Sequence, residues 1–143
     1  MITFVVYGEP VGKARARTVQ GKSGFIHSYT PAKSRKYEDL IRYEAQRHAG
    51  AGLLMGALMV KIWAFRSPTK VSQKKRVDML EGTIRPISRP DTDNYAKSVL
   101  DALNGILFKD DSQVVALEVQ KWFGDPPRIE IEITQLEASN GTV

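Results

Sequence analysis

The 143-residue chain has no cysteine and only two histidines, His27 and His48. Disulfides, thiolate zinc sites, cysteine nucleophiles and multi-histidine metal centres are therefore excluded. Any metal here must be a hard cation held by oxygen. No apolar run approaches the roughly 20 residues that a membrane-spanning helix needs. The start carries no signal-peptide pattern, so the expectation is a soluble, cytoplasmic protein with no membrane partner. Repeats and low-complexity segments are lacking too. What is left is ordinary globular composition, 42% hydrophobic and 26% charged. The length suits one domain over 1–143, with only about the last seven residues frayed.

Charge is unevenly spread. Residues 1–90 carry a net +11 and residues 91–143 a net −6, which together make the overall +5. The cations cluster at Lys13, Arg15 and Arg17, at Lys33, Arg35 and Lys36, at Lys70, Lys74, Lys75 and Arg76, and at Arg85 and Arg89. Clustered Lys and Arg suit a polyanion, because each phosphate contact releases counterions. A merely solubilising surface is the competing reading of the charge alone. In the acidic half, five of ten carboxylates fall in positions 91–111, among apolar residues.

The hydrophobic pattern outlines the elements. Residues 2–7 are β-prone and end at Gly8 and Pro10, giving a first strand. A basic loop over 11–24 follows, then a short strand at 25–29. Thr30 is the expected cap of a helix with Pro31 in its first turn, running to about His48. Residues 57–66 are almost continuously apolar, as an interior strand requires. Ser72 caps a basic helix to about Leu80, stopped by Gly82, and a further helix spans 93–103 after Pro90. Strands are expected at 114–122 and 128–136. In the last, Ile129, Ile131 and Ile133 alternate with polar residues. Phe123-Gly-Asp-Pro-Pro127 is read as the turn of a hairpin joining these two strands. The fold class is α/β (α+β), a mixed sheet of about four to five strands packed with two main helices.

The chemistry concentrates in Arg89-Pro-Asp-Thr-Asp-Asn-Tyr-Ala-Lys97, Asp101-Ala-Leu-Asn-Gly105 and Lys109-Asp-Asp-Ser-Gln-Val114. On a helical wheel Ala96, Val99, Leu100 and Leu103 share one face. Asp93, Lys97, Asp101 and Asn104 fall within about 80° of one another beside it. Asp91 and Asp93 alternate if the helix start is extended, so both can turn to one point. Asp110 and Asp111 lie in the loop after the helix, and the sequence permits that loop to fold back. Two carboxylates about 4 Å apart repel by roughly 4 kcal/mol at an effective dielectric of 20. A divalent cation reverses the sign, and oxygen-only donors suit Mg²⁺ or Mn²⁺. Such an ion activates water and stabilises charge on a phosphoryl oxygen. Lys97 is placed to contact the phosphate or orient the water.

Each piece also has a structural reading. Asp91 and Asp93 suit helix capping, and Lys97 suits an i,i+4 pair with Asp93. Asp101 suits a core-edge residue bonded to backbone, and Asp110–Asp111 suits turn chemistry. It is their conjunction behind a basic half that points to catalysis. A less selective nuclease acting on flaps, forks or replication intermediates stays open, as does a non-catalytic DNA-binding module.

In order and spacing these blocks resemble the P-D-x-D-N-x-x-K, D-x-L-N-G and D-D-x-Q-V pattern of the RusA family of Holliday-junction resolvases, over about 27 contiguous residues. The resemblance implies a Mg²⁺-dependent endonuclease, encoded by a prokaryote or phage, homodimeric, cutting four-way DNA junctions by paired, symmetric nicks. It implies Asp91, Asp93 and Asp111 as catalytic, metal-binding carboxylates and Lys97 as the catalytic lysine. Asp110, Asp101 and Asn94 would support them. Thr92 stands where the family often has an apolar residue, and the basic segment 68–87 is longer than in compact members. Lys13, Arg15, Arg17, Lys74, Lys75, Arg76 and Arg89 are the candidate DNA contacts, acting on shape and phosphates. Phe25, Tyr29 and Trp63 suit stacking in an opened junction, but strand aromatics are more commonly core, and none is given a role.

Overall fold

The strand at 57–66 sets the architecture, because its almost continuous apolar run suits the interior of a sheet, with a neighbour along each edge. In the computed structural model, which describes residues 1–14, 17–22 and 24–136, the main sheet has four strands. They are β1 (Ile2–Tyr7), β4 (Leu58–Arg66), β5 (Val114–Phe123) and β6 (Arg128–Gln135), in the order β1-β6-β4-β5. β6 pairs antiparallel with both β1 and β4, while β4 and β5 run parallel. The mixed sheet of the expected class is thus present. Two further strands, β2 (Arg17–Gln20) and β3 (Ile26–Tyr29), form a separate antiparallel hairpin.

The register lines up one buried face. Phe4 and Val60 flank Ile131 and Ile133 of β6, and Ile62 lies opposite Ile131. Two helices cover this face: α1 (Ala32–His48) through Tyr37, Ile41 and Ala45, and α3 (Thr92–Leu103) through Tyr95, Ala96, Val99, Ala102 and Leu103. Between them in sequence, the short α2 (Gln73–Leu80) packs against β5. Its Ser72 accepts a hydrogen bond from the Lys75 amide, as the cap expected there should. A parallel β4–β5 pair requires a long crossover, and that crossover carries both α2 and α3. No helix among the described residues is long and apolar enough to cross a membrane.

Three expectations change. β5 and β6 are not a hairpin, because β4 lies between them. The 124–127 link instead crosses the end of β4, where the Gly124 amide donates to Arg66 O at 2.9 Å. A Cβ on Gly124 would stand 2.8 Å from Phe65 Cβ, so the crossing needs glycine. Second, α1 starts at Ala32 with an extended Pro31 as its cap residue and no side-chain cap, so Thr30 does not cap it. Third, the basic loop over 11–24 contains β2, and Phe25 and Tyr29 are exposed rather than core.

Candidate active site

The start of α3 is held from three directions. Lys121 of β5 donates from Nζ to Ser88 O at 2.8 Å and Pro90 O at 3.0 Å. Arg66 of β4 donates to Ser88 Oγ at 2.8 Å and Arg89 O at 3.1 Å. From the N-terminal side, the Lys13 amide donates to Asn94 O at 2.9 Å and Asn94 Nδ2 returns a bond to Lys13 O at 3.2 Å. The buried Ser98 hydroxyl donates to Val11 O at 2.9 Å. Gly12 fits against Pro90, where a Cβ would come within 2.6 Å of the proline Cβ. Asn94 therefore fastens the loop after β1 to the helix. Arg66 and Lys121 are the positioning residues that sequence reasoning missed, since nothing local links them to positions 88–90.

On this scaffold Asp91 is the N-cap residue of α3, and its backbone carbonyl accepts from the Asn94 and Tyr95 amides at 3.1 and 3.3 Å. Its carboxylate makes no capping hydrogen bond. Asp93 lies in the first turn, where the helix dipole favours negative charge. Both line an open cleft of about 710 Å³ together with Gly12, Lys13, Arg89, Pro90 and Asn94. Asp93 also borders a second, more apolar cleft of about 400 Å³, lined by Lys97, Leu100, Leu117 and Val119 among others.

The other charged residues divide clearly. Lys13 Nζ bonds Glu38 Oε1 at 2.8 Å and lies 3.3 Å from Asp101 Oδ2, and Lys97 Nζ lies 3.0 Å from Asp101 Oδ1, so its i,i+4 partner is Asp101 one turn on and not Asp93 one turn back. This gives a row of alternating charges, Glu38–Lys13–Asp101–Lys97. Glu38 is almost fully buried on α1 and was missed in the sequence. Its signal was available: it stands three residues before Ile41 and seven before Ala45, on the apolar stripe. The hydrogen bond and charge of Asp101 raise the Lys97 pKa above its ordinary value, with smaller contributions from Asp111 and Glu38. Lys97 is thus a secure cation.

The D-D-x-Q-V block resolves into a capping box. Asp110 accepts from the Ser112 amide at 3.1 Å, and Gln113 Oε1 accepts from the Lys109 and Asp110 amides at 3.0 and 3.2 Å. Gln113 Nε2 in turn donates to Leu54 O and Gly56 O, both at 3.1 Å. Hydrogen bonds from Ser112, its hydroxyl first and then its amide, hold the Asp110 carboxyl below the usual range. The box opens a single 3₁₀ turn, Asp111–Gln113, beside α3. Asp111, the first residue of that turn, is close enough for Lys97 to feel its charge.

Of the five carboxylates in 91–111, Asp101 and Asp110 have partners. Asp91, Asp93 and Asp111 take part in no ion pair or side-chain hydrogen bond among the described residues. The expected three-way convergence is partial: Asp91 and Asp93 share a cleft, and Asp111 lines neither cleft. Among the described residues no three His, Cys, Asp or Glu side chains come together to hold a metal. The donor chemistry still fits Mg²⁺, which keeps several waters and is bound through one or two carboxylates plus substrate phosphates.

The candidate DNA contacts also separate. Arg89 is exposed at the cleft, and Lys74 and Lys75 are exposed on α2. Arg76 is paired with Asp125 at 2.6 Å, and Lys13 is held by Glu38 and Asp101. Arg17 lies in β2. Arg15 lies outside the described residues.

An oxygen-donor cleft at a helix start, a secured lysine one turn on and a basic flank make up the layout of a DNA phosphodiesterase. Residues 7–134 match the family Endodeoxyribonuclease RusA, and the chain belongs to that family of crossover-junction endodeoxyribonucleases, hydrolases acting on DNA. The chain is 38% identical over 140 residues to the uncharacterized protein YqaN of Bacillus subtilis (strain 168), covering 96% of this chain and 98% of that one. It is 46% identical over 50 residues to the crossover junction endodeoxyribonuclease rusA of Lactococcus phage r1t, covering 34% of this chain and 38% of that one.

Proposed function

We propose that this chain, acting as one domain and as a homodimer in the cytoplasm, resolves four-way DNA junctions by paired symmetric hydrolysis with Mg²⁺, or Mn²⁺ in its place. The observation that carries the reading is the partition of the carboxylates. Those at 101 and 110 are tied into the fold, whereas Asp91, Asp93 and Asp111 have no partner among the described residues.

Asp91 and Asp93, with Asp111 beside α3, are the residues that would hold the ion. When bound, it supplies Lewis-acid polarisation of the scissile phosphate and a more acidic water. Lys97 stays protonated and offers positive charge to the phosphoryl oxygens. Arg89 at the cleft rim meets the strand and orients it. Lys121, Arg66 and Asn94 keep the carboxylates from drifting, which matters because small misplacements cost large factors in rate. A junction presents two equivalent strands, and a two-fold dimer presents two equivalent sites, so the incisions pair by geometry.

The test is Asp91→Asn, assayed on four-way, three-way and linear DNA in Mg²⁺. Cleavage of the four-way junction should be abolished while junction binding survives. Preserved turnover would defeat the metal assignment, and joint loss of binding and turnover would give Asp91 a structural role. Equal cutting of all three substrates by the wild type would favour the less selective nuclease.

A further inference from the structure

Among the described residues the β2–β3 hairpin pairs with no other strand, and a lone two-stranded hairpin is marginal in water. It nonetheless displays four large apolar side chains: Phe25 is 74% exposed, Ile26 72%, Tyr29 41% and Val19 37%. Its stem is bonded into the catalytic cleft. The segment just before it, Val11 to Lys13, makes the three hydrogen bonds to α3, and Gly12 and Lys13 line the cleft with Asp91 and Asp93.

Charge identifies the occupant. From residue 10 to residue 37 the chain has seven Lys or Arg and no Asp or Glu. Lys22 is exposed in the hairpin turn, and Lys33, Arg35 and Lys36 are exposed on the first turns of α1, which follows β3. A second copy of this chain seated hairpin to hairpin would bring the same cations and be repelled. A polyanion that also exposes flat apolar faces would meet both demands, and nucleic acid does so where its bases are unstacked. In a fully paired duplex those faces are covered by their neighbours.

We propose that the β2–β3 hairpin is a branch-reading arm. Phe25 and Tyr29 stack on bases unstacked at the branch point, and Lys22 meets a neighbouring phosphate. This rests on the junction reading and adds how the branch is told from duplex.

The test measures binding without divalent metal, so that cleavage plays no part. Wild type, Phe25→Ala, the double variant Phe25→Ala/Tyr29→Ala and Phe25→Trp are titrated against a four-way junction and a linear duplex of equal length. The junction carries 2-aminopurine at the branch. Stacking on an aromatic side chain is worth about 1–3 kcal/mol per base, so each alanine should weaken junction binding by about tenfold. Duplex binding should stay within about twofold, and the aminopurine quench seen with wild type should disappear. Phe25→Trp should restore both. Thermal unfolding should be unchanged, because neither side chain belongs to the core. If wild type prefers the junction and the alanine variants bind it equally well, the arm is overturned. Equal losses on junction and duplex also overturn it. So does loss of dimer on sedimentation with junction affinity per dimer unchanged, which would seat the hairpin on a second copy. A wild type with no preference for the junction would overturn the junction reading itself, and the arm with it.

Discussion

Asp101 illustrates how one carboxylate governs another residue's charge. Its two oxygens face two ammonium groups, Lys13 on one side and Lys97 on the other. The folded-state pKa of Lys97 is raised, chiefly by the hydrogen bond it donates to Asp101. The stabilising contribution of a raised lysine is fully present below its ordinary pKa of 10.5 and is lost as pH climbs through the higher folded value. Lys97 is more than half exposed, so solvent screens the pair and the gain in stability is small. Its value lies in fixing where the ammonium sits. Carbon-13 NMR of labelled lysine should place the Lys97 midpoint above 10.5 in the wild type, and Asp101→Asn should return it toward 10.5. A midpoint unmoved by Asp101→Asn would show that the row of charges does not set the lysine. Asp101 was legible as a core-edge residue, but among the described residues its carboxylate bonds two ammonium groups and not the backbone expected for it. Its partner Lys13 was not legible, because the two lie 88 positions apart and no local period connects them.

At the level of elements, the start of α3 is positioned by the sheet rather than by its own cap. Asp91 makes no capping hydrogen bond, and Lys121 and Arg66 reach across from β5 and β4 to the carbonyls just before it. Lys121→Met removes two of these bonds without touching the cleft. Junction cleavage should slow by about tenfold or more, since misplacement by about 1 Å is costly. Junction affinity should hold within about threefold, and Lys121→Arg should recover part of the rate. A parallel fall in affinity and rate would mark Lys121 as a DNA contact instead. Most elements were readable from period and punctuation: the alternating isoleucines of β6, the continuous apolar run of β4 and the Ser72 cap of α2. Pairing was not. Chain neighbours usually pair, which favoured a β5–β6 hairpin, but β4, whose Leu58, Val60, Ile62 and Ala64 are fully buried, is flanked along both edges, by β6 and β5. Burial outweighed proximity, and the link over 124–127 crosses the strand end instead of making a tight turn. β2 went unseen because four polar and apolar residues in a basic loop give too short a pattern to count.

For the whole molecule, the opposition between a +11 half and a −6 half has a spatial consequence that sequence could not supply. Cations near one another in sequence are not equally available. On α2, Arg76 is bound to Asp125 at 2.6 Å while Lys74 and Lys75 are exposed. Only a cation whose counterion is displaced by a DNA phosphate contributes to the salt dependence of binding. The logarithm of junction affinity should therefore fall steeply with the logarithm of salt concentration. Replacing Lys74 and Lys75 by glutamine should make that slope shallower by about 2, one for each lost phosphate contact. Arg76→Gln should leave the slope unchanged, although it removes the same formal charge, because its guanidinium already has a carboxylate. Fluorescence anisotropy with a labelled junction between about 50 and 200 mM KCl measures all three slopes over the range where counterion release dominates. A reduction in both variants in proportion to the charge removed would mean that net charge, not individual contacts, governs binding. A slope indifferent to Lys74 and Lys75 would remove α2 from the DNA surface and leave the cleft rim around Arg89 as the basic face that meets the strand.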